Sequence, residues 1–344
     1  MTLKFMDSFD HYATAQISQK WTAVTGATIG ASAGRRSTGG AQFSGAAQSM
    51  TKSIAATATF YIGFALYITS SSTGGYLIYL GDSGSDQCGL FLGSDGTLSF
   101  RRGTTNLTTS SNALSTGAWN YIEFLVTINN TTGVYEVRVN GSATGWIANT
   151  TGANTRSTAN NSANTILMNA RPAAPSGGFA GSIVIDDFYY CDSAGSVNNS
   201  FLGDVRIDCY MPDGNGNSSQ LVGSDSNSTD NYLLVDESAP NGDTDYVQSS
   251  TVNNKDTYTF ADMSHTPTSI FATQLNMSAK KDDSGTRSIC AVCRSGGTDY
   301  DGDTQALGTS YVDYRQIREV DPATSAAWTR TNLNSAEFGV KVAA

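Results

Sequence analysis

Asp299, Asp301 and Asp303 alternate along the run DYDGD, a spacing suited to binding a metal ion. Carboxylates around a glycine supply the oxygen ligands that Ca²⁺ takes in proteins. The run lacks the later bidentate glutamate of an EF-hand loop, so a solvated turn explains the same pattern. These three aspartates are our candidate calcium site, with Asp82 and Asp86 as a second one, and we predict no other cofactor.

Paired carboxylates for glycan cleavage are the next chemistry to consider. A glycosidase built on strands needs two acidic side chains on one face, which the spacing Glu-x-Asp-x-Glu provides. No glutamate of this chain stands in that pattern, and we expect Glu123 and Glu136 to be exposed on neighbouring strands. The histidines, His11 and His265, have no sequence context of a catalytic triad. We therefore predict that the chain is not an enzyme.

Aromatic and basic residues near turns are candidates for binding a glycan. Sugar recognition uses an exposed aromatic ring with polar neighbours, although most aromatic residues belong to a core. Paired arginines beside turns suit an acidic glycan or an acidic neighbouring subunit, and a solvated face is the alternative. The candidates are Tyr76, Tyr79, Trp146, Tyr300, Arg35, Arg36, Arg101 and Arg102.

Two pairs of reactive side chains that are close in sequence are better explained by structural roles than by chemistry. Asp186 and Asp187 lie within an apolar predicted strand, so their side chains face opposite sides and one of them needs a partner. A turn or an arginine is favoured over calcium in that role. Cys290 and Cys293 are the one close pair among five cysteines. Buried apolar thiols explain this pair better than a zinc site, which needs further ligands.

The composition excludes several classes of protein. The 344 residues are 15% charged and carry a net charge of −10, and no basic stripe indicates a nucleic-acid partner. No apolar run is long enough to span a membrane. Residues 1–12 lack the charged and apolar regions of a signal peptide. We expect neither nucleic-acid binding nor membrane insertion.

Alternation of bulky apolar and polar residues predicts strands throughout. Gly117–Ile128 and Gly133–Asn140 indicate an antiparallel hairpin, and Phe179–Cys191 indicates a further strand. The apolar run Thr57–Ser70 is typical of a central strand covered on both sides. Long helices would need more Leu, Glu, Lys and Ala than the sequence contains. The predicted fold class is therefore all-β, with very little helix.

A small, polar stretch divides the chain into two predicted domains. Asp192–Asn199 lacks bulky side chains, which is typical of a domain boundary. Beyond it, Phe201–Met211 predicts a new strand. We predict two jelly-roll β-sandwich domains in tandem, 1–195 and 196–344.

These segments resemble a known combination of domains. The Gly-x-Trp run before the first hairpin strand and the run IDDFY at Ile185–Tyr189 resemble a concanavalin A-like, laminin G-like domain. Phe201–Asp208, Ala279–Ile289 and Asp321–Trp328 resemble a β domain that follows such a domain in tailed-bacteriophage virion proteins.

The resemblance implies a non-enzymatic structural component displayed on a phage virion, on the tail or the capsid, that assists attachment to the host. Such a component is assembled in the host cytoplasm. Its partners are other virion proteins and further copies of itself, with a trimer as one candidate. A lectin-like adhesin that binds host glycans is the alternative hypothesis. A polysaccharide depolymerase is the third, and the missing carboxylate pattern disfavours it.

Overall fold

The structure, a computed structural model, describes residues 2–70 and 72–344. Met1, where the predicted first domain begins, and Ser71 lie outside the described residues. The chain divides into two compact units, Met1–Ile207 and Asp208–Ala344. The division follows Ile207 rather than residue 195, because hydrogen bonds hold the backbone of residues 202–207 on the first unit.

The first unit consists almost entirely of strands. Its helical segments are the 3-10 turn Thr14–Gln16 and α1, Ile17–Lys20. Its strands in chain order are β1 Leu3–Asp7, β2 Ala23–Thr25, β3 Thr28–Gly30, β4 Gly40–Phe43, β5 Ser49–Thr57, β6 Thr59–Ser70, β7 Gly75–Asp82, β8 Ser85–Leu92, β9 Thr97–Arg102, β10 Thr105–Ala113, β11 Trp119–Thr127, β12 Gly133–Val139, β13 Ser142–Ala153, β14 Ala163–Met168 and β15 Ser182–Cys191.

These strands form two antiparallel sheets that pack face to face. Among the described residues, the eight-stranded sheet has the order β13-β12-β11-β6-β15-β4-β3, with β1 also paired to β15. The seven-stranded sheet has the order β10-β9-β8-β7-β14-β5-β2. Apolar side chains from both sheets form one core, across which the rings of Phe100 and Tyr135 stack at 4.5 Å. The first unit is therefore a β-sandwich, and β6 is the predicted central strand.

A buried ion pair fixes the N-terminal segment of this sandwich. Lys20 Nζ lies 3.1 Å from Asp7 Oδ1, and the two side chains are 1% and 0% exposed. Asp7 also accepts hydrogen bonds from the Tyr12 hydroxyl and the Trp21 indole. Burial alone would raise the pKa of Asp7. The charges of Lys20 and His11 and the bond from Tyr12 outweigh that effect and lower the pKa.

The second unit is also built of strands. Its helical segments are the 3-10 turn Asn231–Leu234 and α2, Arg330–Asn334. Its strands are β16 Pro212–Ser219, β17 Val222–Gly223, β18 Val247–Gln248, β19 Lys255–Phe260, β20 Thr273–Ala279, β21 Ser288–Ser295, β22 Thr298–Asp301, β23 Gln305–Ala306, β24 Val312–Arg318 and β25 Glu337–Val342.

A six-stranded sheet is the main layer of the second unit, with the order β16-β19-β25-β21-β22 and β23 also paired to β21 among the described residues. The ribbon β20–β24 packs against this sheet through Met277, Ile289 and Ala291. The prediction of an all-β chain with very little helix is confirmed. Within residues 2–70 and 72–344, no helix is long and apolar enough to cross a membrane.

The predicted strand Phe201–Met211 is wrong. These residues, all of them described, have no strand geometry. The backbone N–H groups of Leu202, Gly203 and Ile207 donate instead to side chains of the first unit. The Phe201 ring contacts Tyr61 of β6 edge-on at 5.3 Å, so the alternation does not reflect pairing with another strand.

Replacing Lys20 with methionine is expected to lower the free energy of unfolding by about 3–5 kcal/mol, because Asp7 then stays buried without its counter-charge. The control is Lys4→Met, which breaks an ion pair with Asp192 whose lysine side chain is 32% exposed. Such a pair contributes about 0–1 kcal/mol. Urea denaturation followed by tryptophan fluorescence measures both variants, and equal losses would contradict the expectation.

Candidate functional site

A cluster of aromatic side chains lies on the outer side of the seven-stranded sheet, apart from the sandwich core. Tyr76 and Tyr79 of β7 pack there with Phe91 of β8. A register shift in β7 between Tyr76 and Ile78 breaks the strict alternation. Leu77 and Ile78 therefore both enter the core, and the two tyrosines stay outside it. The shift brings two of the predicted aromatic candidates to one surface.

Ring contacts and hydrogen bonds hold this cluster in place. The Tyr76 ring meets those of Tyr79 and Phe91 edge-on, at centroid distances of 5.0 and 5.2 Å. Both tyrosine hydroxyls donate to the carbonyl oxygen of Gly103, at 3.3 and 3.1 Å. Tyr76 is 5% exposed and Tyr79 is fully buried. Neither ring is accessible enough to stack on a sugar. The cluster instead forms an aromatic support for the neighbouring side chain of Arg101.

Arg101 of β9 lies on this support. Its guanidinium carbon is 3.5 Å from the centroid of the Phe91 ring and 5.8 Å from that of Tyr76. These distances are within the range of cation–π attraction. Gly89 stands opposite Arg101 in β8, and a Cβ atom there would lie 2.5 Å from the Tyr79 ring. Only glycine at this position leaves room for that ring.

The positive charge of Arg101 is not balanced within the protein. Among the described residues no carboxylate forms an ion pair with it, and its Nε atom is buried without a hydrogen-bond partner. Arg171 lies 5.7 Å from the Tyr76 ring on the same surface, but it pairs with Asp86. That pairing also occupies one of the alternative calcium ligands. The surface therefore carries a net positive charge on an acidic protein.

Small polar side chains continue the surface toward β10. Asn106 stands opposite Arg101, and its amide donates to Thr109 Oγ1 at 2.8 Å. Asn106 and Thr109 are both exposed. Amide and hydroxyl groups of this kind can donate to and accept from sugar hydroxyls. We call Arg101, Phe91, Tyr76, Asn106 and Thr109 together the Arg101 surface.

Other predicted glycan ligands lie elsewhere. Arg102 pairs across the sheet with Cys88, a core residue, so it faces away from Arg101. Trp146 packs against the core. Tyr300 belongs to the second unit, where it stands opposite Cys293. Phe91 was missed by the sequence analysis, although its position between Leu90 and Leu92 placed it out of phase with the core.

The outer side of the eight-stranded sheet buries acidic side chains. Glu123 and Glu136 are 1% and 5% exposed, so the prediction that they are exposed is wrong. Glu123 Oε1 accepts hydrogen bonds from the Tyr189 hydroxyl at 2.6 Å and from the Gly203 N–H at 2.8 Å. Residues 201–207 run over this side of the sheet. Glu123 therefore has a structural role, which is to hold that segment.

Asp187 holds the same segment together with two arginines. Arg36 Nη2 lies 2.7 Å from Asp187 Oδ1, and the Ile207 N–H donates to that oxygen at 2.8 Å. Arg35 lies 3.4 Å from Asp187 Oδ2 and 2.6 Å from Asp204 Oδ1. The arginine partner predicted for this acidic pair is present. Arg35 and Arg36 are thus committed to internal ion pairs.

Asp186 is buried as well, against the expectation that the two neighbouring acids face opposite sides. A left-handed backbone at Asp187, with φ of 49°, and a register shift between Asp186 and Tyr189 interrupt the alternation. The Asp186 carboxylate accepts from the backbone N–H groups of Arg35 and Asp187, each at 2.7 Å. Burial, reinforced by the charge of Asp187, raises the pKa of Asp186 to about 7.

The candidate calcium ligands are engaged with basic side chains. Asp299 pairs with two cations and Asp301 with one; these are Lys255, Arg294 and Lys341. In the part of the chain that the structure describes, no three His, Cys, Asp or Glu side chains are grouped so as to hold a metal ion. Calcium binding by Asp299, Asp301 and Asp303 stays a prediction, and it would require these ion pairs to open.

No family model and no curated protein matches the chain. Among solved structures it is similar to the marine PL-14 alginate lyase from Aplysia kurodai, with 11% identity and a TM-score of 0.42, over 55% of this chain and 98% of that one. Alginate lyase Aly36B matches with 12% identity and a TM-score of 0.38, over 55% and 96%. A sialidase matches with 14% identity and a TM-score of 0.40, over 56% and 19%.

These similarities correct one prediction. The prediction that the chain is not an enzyme is contradicted, because the similar structures are lyases and sialidases. At such low identities and TM-scores the likeness concerns the β-sandwich fold alone. It transfers no reaction, substrate or catalytic residue to this chain.

The burial of Asp186 predicts a specific dependence of stability on pH. Its pKa is about 7 in the folded protein and near 3.9 in an unfolded chain. Between these two pH values the folded state therefore binds more protons than the unfolded chain does. The free energy of unfolding falls as the pH rises toward 7. Relative to wild type, Asp186→Asn is expected to gain about 1 kcal/mol of unfolding free energy per pH unit across this interval.

Asp95 provides the control of opposite sign. Hydrogen bonds from the Thr97 hydroxyl and N–H lower the pKa of this exposed carboxyl. Wild type therefore gains stability from Asp95 as the pH rises through its pKa, and Asp95→Asn loses that gain. Urea denaturation at a series of pH values measures both variants. Parallel curves for Asp186→Asn and wild type would contradict the raised pKa.

Proposed function

We propose that the chain binds glycans at the Arg101 surface. The observation that carries this proposal concerns Arg101, whose guanidinium carbon lies 3.5 Å from the centroid of the Phe91 ring and which has no acidic partner among the described residues. Arg36 and Arg171, by contrast, are neutralised by aspartates of the same unit. A guanidinium that is positioned but unpaired, beside exposed amide and hydroxyl groups, is suited to an external ligand with many oxygen atoms.

A glycan array probed with the full chain, followed by calorimetry on the glycans that bind, tests this proposal. Phe91→Leu is expected to weaken binding about threefold to tenfold, because the guanidinium loses the ring that positions it. The control is Tyr67→Leu, which alters a half-buried ring in contact with Trp119 on the eight-stranded sheet. The absence of any bound glycan, or equal losses in both variants, would contradict the proposal.

We further propose that the chain displays this surface on a tailed-phage virion. The support is the resemblance of the second unit and of the junction NNSFLGD, Asn198–Asp204, to phage virion proteins. In this proposal the partners are other virion proteins and further copies of the chain, with a trimer as one candidate. The glycan bound at the Arg101 surface then belongs to the surface of the host.

Electron microscopy of particles labelled on this protein tests the virion location. Label is expected on the outside of intact particles, at the tail or the capsid. Antibody against an unrelated cytoplasmic protein of the infected host serves as the control. Label that stays with host material after particle purification would contradict the location and leave the glycan-binding proposal standing.

A further inference from the structure

We infer that the glycan bound at the Arg101 surface is acidic, and that Arg101 selects it by pairing with a sugar carboxylate. This inference rests on the proposed function and names the class of ligand. It assigns selectivity to Arg101 and positioning to Phe91.

Charge is the first argument. Arg101 carries a positive charge, and the other cation on this surface, Arg171, is already neutralised by Asp86. A neutral sugar would leave Arg101 partly removed from water and without a counter-charge, which is costly. An anionic ligand removes that cost, and the net charge of −10 makes the local positive charge a distinctive feature of this protein.

The geometry of the guanidinium is the second argument. The centroid of the Phe91 ring lies 3.5 Å from the guanidinium carbon and blocks approach from that side, and the Nε atom is buried. A ligand therefore reaches Arg101 at its two terminal nitrogens. Two parallel N–H groups match the two oxygens of a carboxylate, and this bidentate pair is shorter and stronger than a bond to a neutral hydroxyl.

The neighbours of Arg101 favour a sugar over an acidic protein as the carrier of that carboxylate. Asn106 and Thr109 are exposed and joined by a hydrogen bond of 2.8 Å. Thr109 shares a further bond of 3.0 Å with Ser99. This continuous row of amide and hydroxyl groups matches the hydroxyls of a sugar ring. A protein partner would bring apolar side chains, and among the described residues no exposed large apolar side chain lies on the Arg101 surface.

The test is calorimetric titration of the full chain with a hexauronate and with its carboxyl-reduced, neutral analogue. A sulfated neutral hexasaccharide shows whether any negative charge is sufficient. Arg101→Gln is expected to bind the hexauronate about 10- to 100-fold more weakly than wild type, because a charge-assisted hydrogen-bonded pair is lost. Arg102→Gln is the matched control, since the same charge is removed from the next residue, which faces the other way.

The outcomes separate the inference from the function on which it rests. Preference for the hexauronate that disappears in Arg101→Gln, persists in Arg102→Gln and is partly retained in Arg101→Lys supports the inference. Equal binding of neutral and acidic hexasaccharides overturns it and leaves glycan binding intact. Equal binding of the sulfated sugar overturns the choice of carboxylate. A change of oligomeric state in Arg101→Gln by light scattering, with unchanged glycan affinity, assigns Arg101 to an acidic neighbouring copy and overturns it too.

Discussion

The packing of two sheets face to face is the constraint on which the rest of the first unit depends. A strand residue has two sides, and one side of these strands is committed to the shared core. A side chain on the other side of a strand must find its contacts outside that core. The eight-stranded sheet buries Glu123 and Asp187 under residues 201–207, whose backbone they bind. The seven-stranded sheet covers Tyr76 and Phe91 with an arginine. One outer side is therefore covered in part by residues 201–207, and the other presents the charge of Arg101.

The partners of its charge distinguish Arg101 from other ionised groups in the unit. Asp7 is balanced by Lys20, and Asp187 by Arg36. Arg101 is half-buried, and aromatic rings rather than an acidic side chain contact its guanidinium. Rings attract cations more weakly than carboxylates do. The arrangement thus fixes the position of the guanidinium and leaves its terminal N–H groups available to a ligand.

Much of the fold could be predicted from the sequence, because hydrophobic alternation is strong in the buried strands. β6, β11, β12 and β15 lie where that pattern predicts them. The strands β10 and β13 escaped prediction because they lie at sheet edges and expose polar residues on much of their length. Phe201–Met211 showed a strand pattern without a strand, since the backbone N–H groups of Leu202, Gly203 and Ile207 bond to side chains and not to another strand.

The candidate site could be predicted only in part, because it depends on departures from regular alternation. The register shift at Tyr76 and the left-handed residue Asp187 decide which side chains face inward, and sequence periodicity contains neither. Arg101 was identified as a candidate beside a turn. Sequence alone could not show that Arg101 lacks an acidic partner or that Glu123 is buried. Both features depend on which residues far apart in the chain come together.

The attachment of residues 201–207 has a mechanical consequence. Tension transmitted along the backbone from beyond Ile207 loads its hydrogen bond to Asp187 first, and then the ion pair of Arg35 with Asp204 and the bond from Gly203 to Glu123. These contacts follow one another along the segment, and each transfers part of the pull to the first unit before the backbone that leaves β15 at Cys191 is loaded. A pull from that side is therefore shared among several contacts and does not fall on one bond alone.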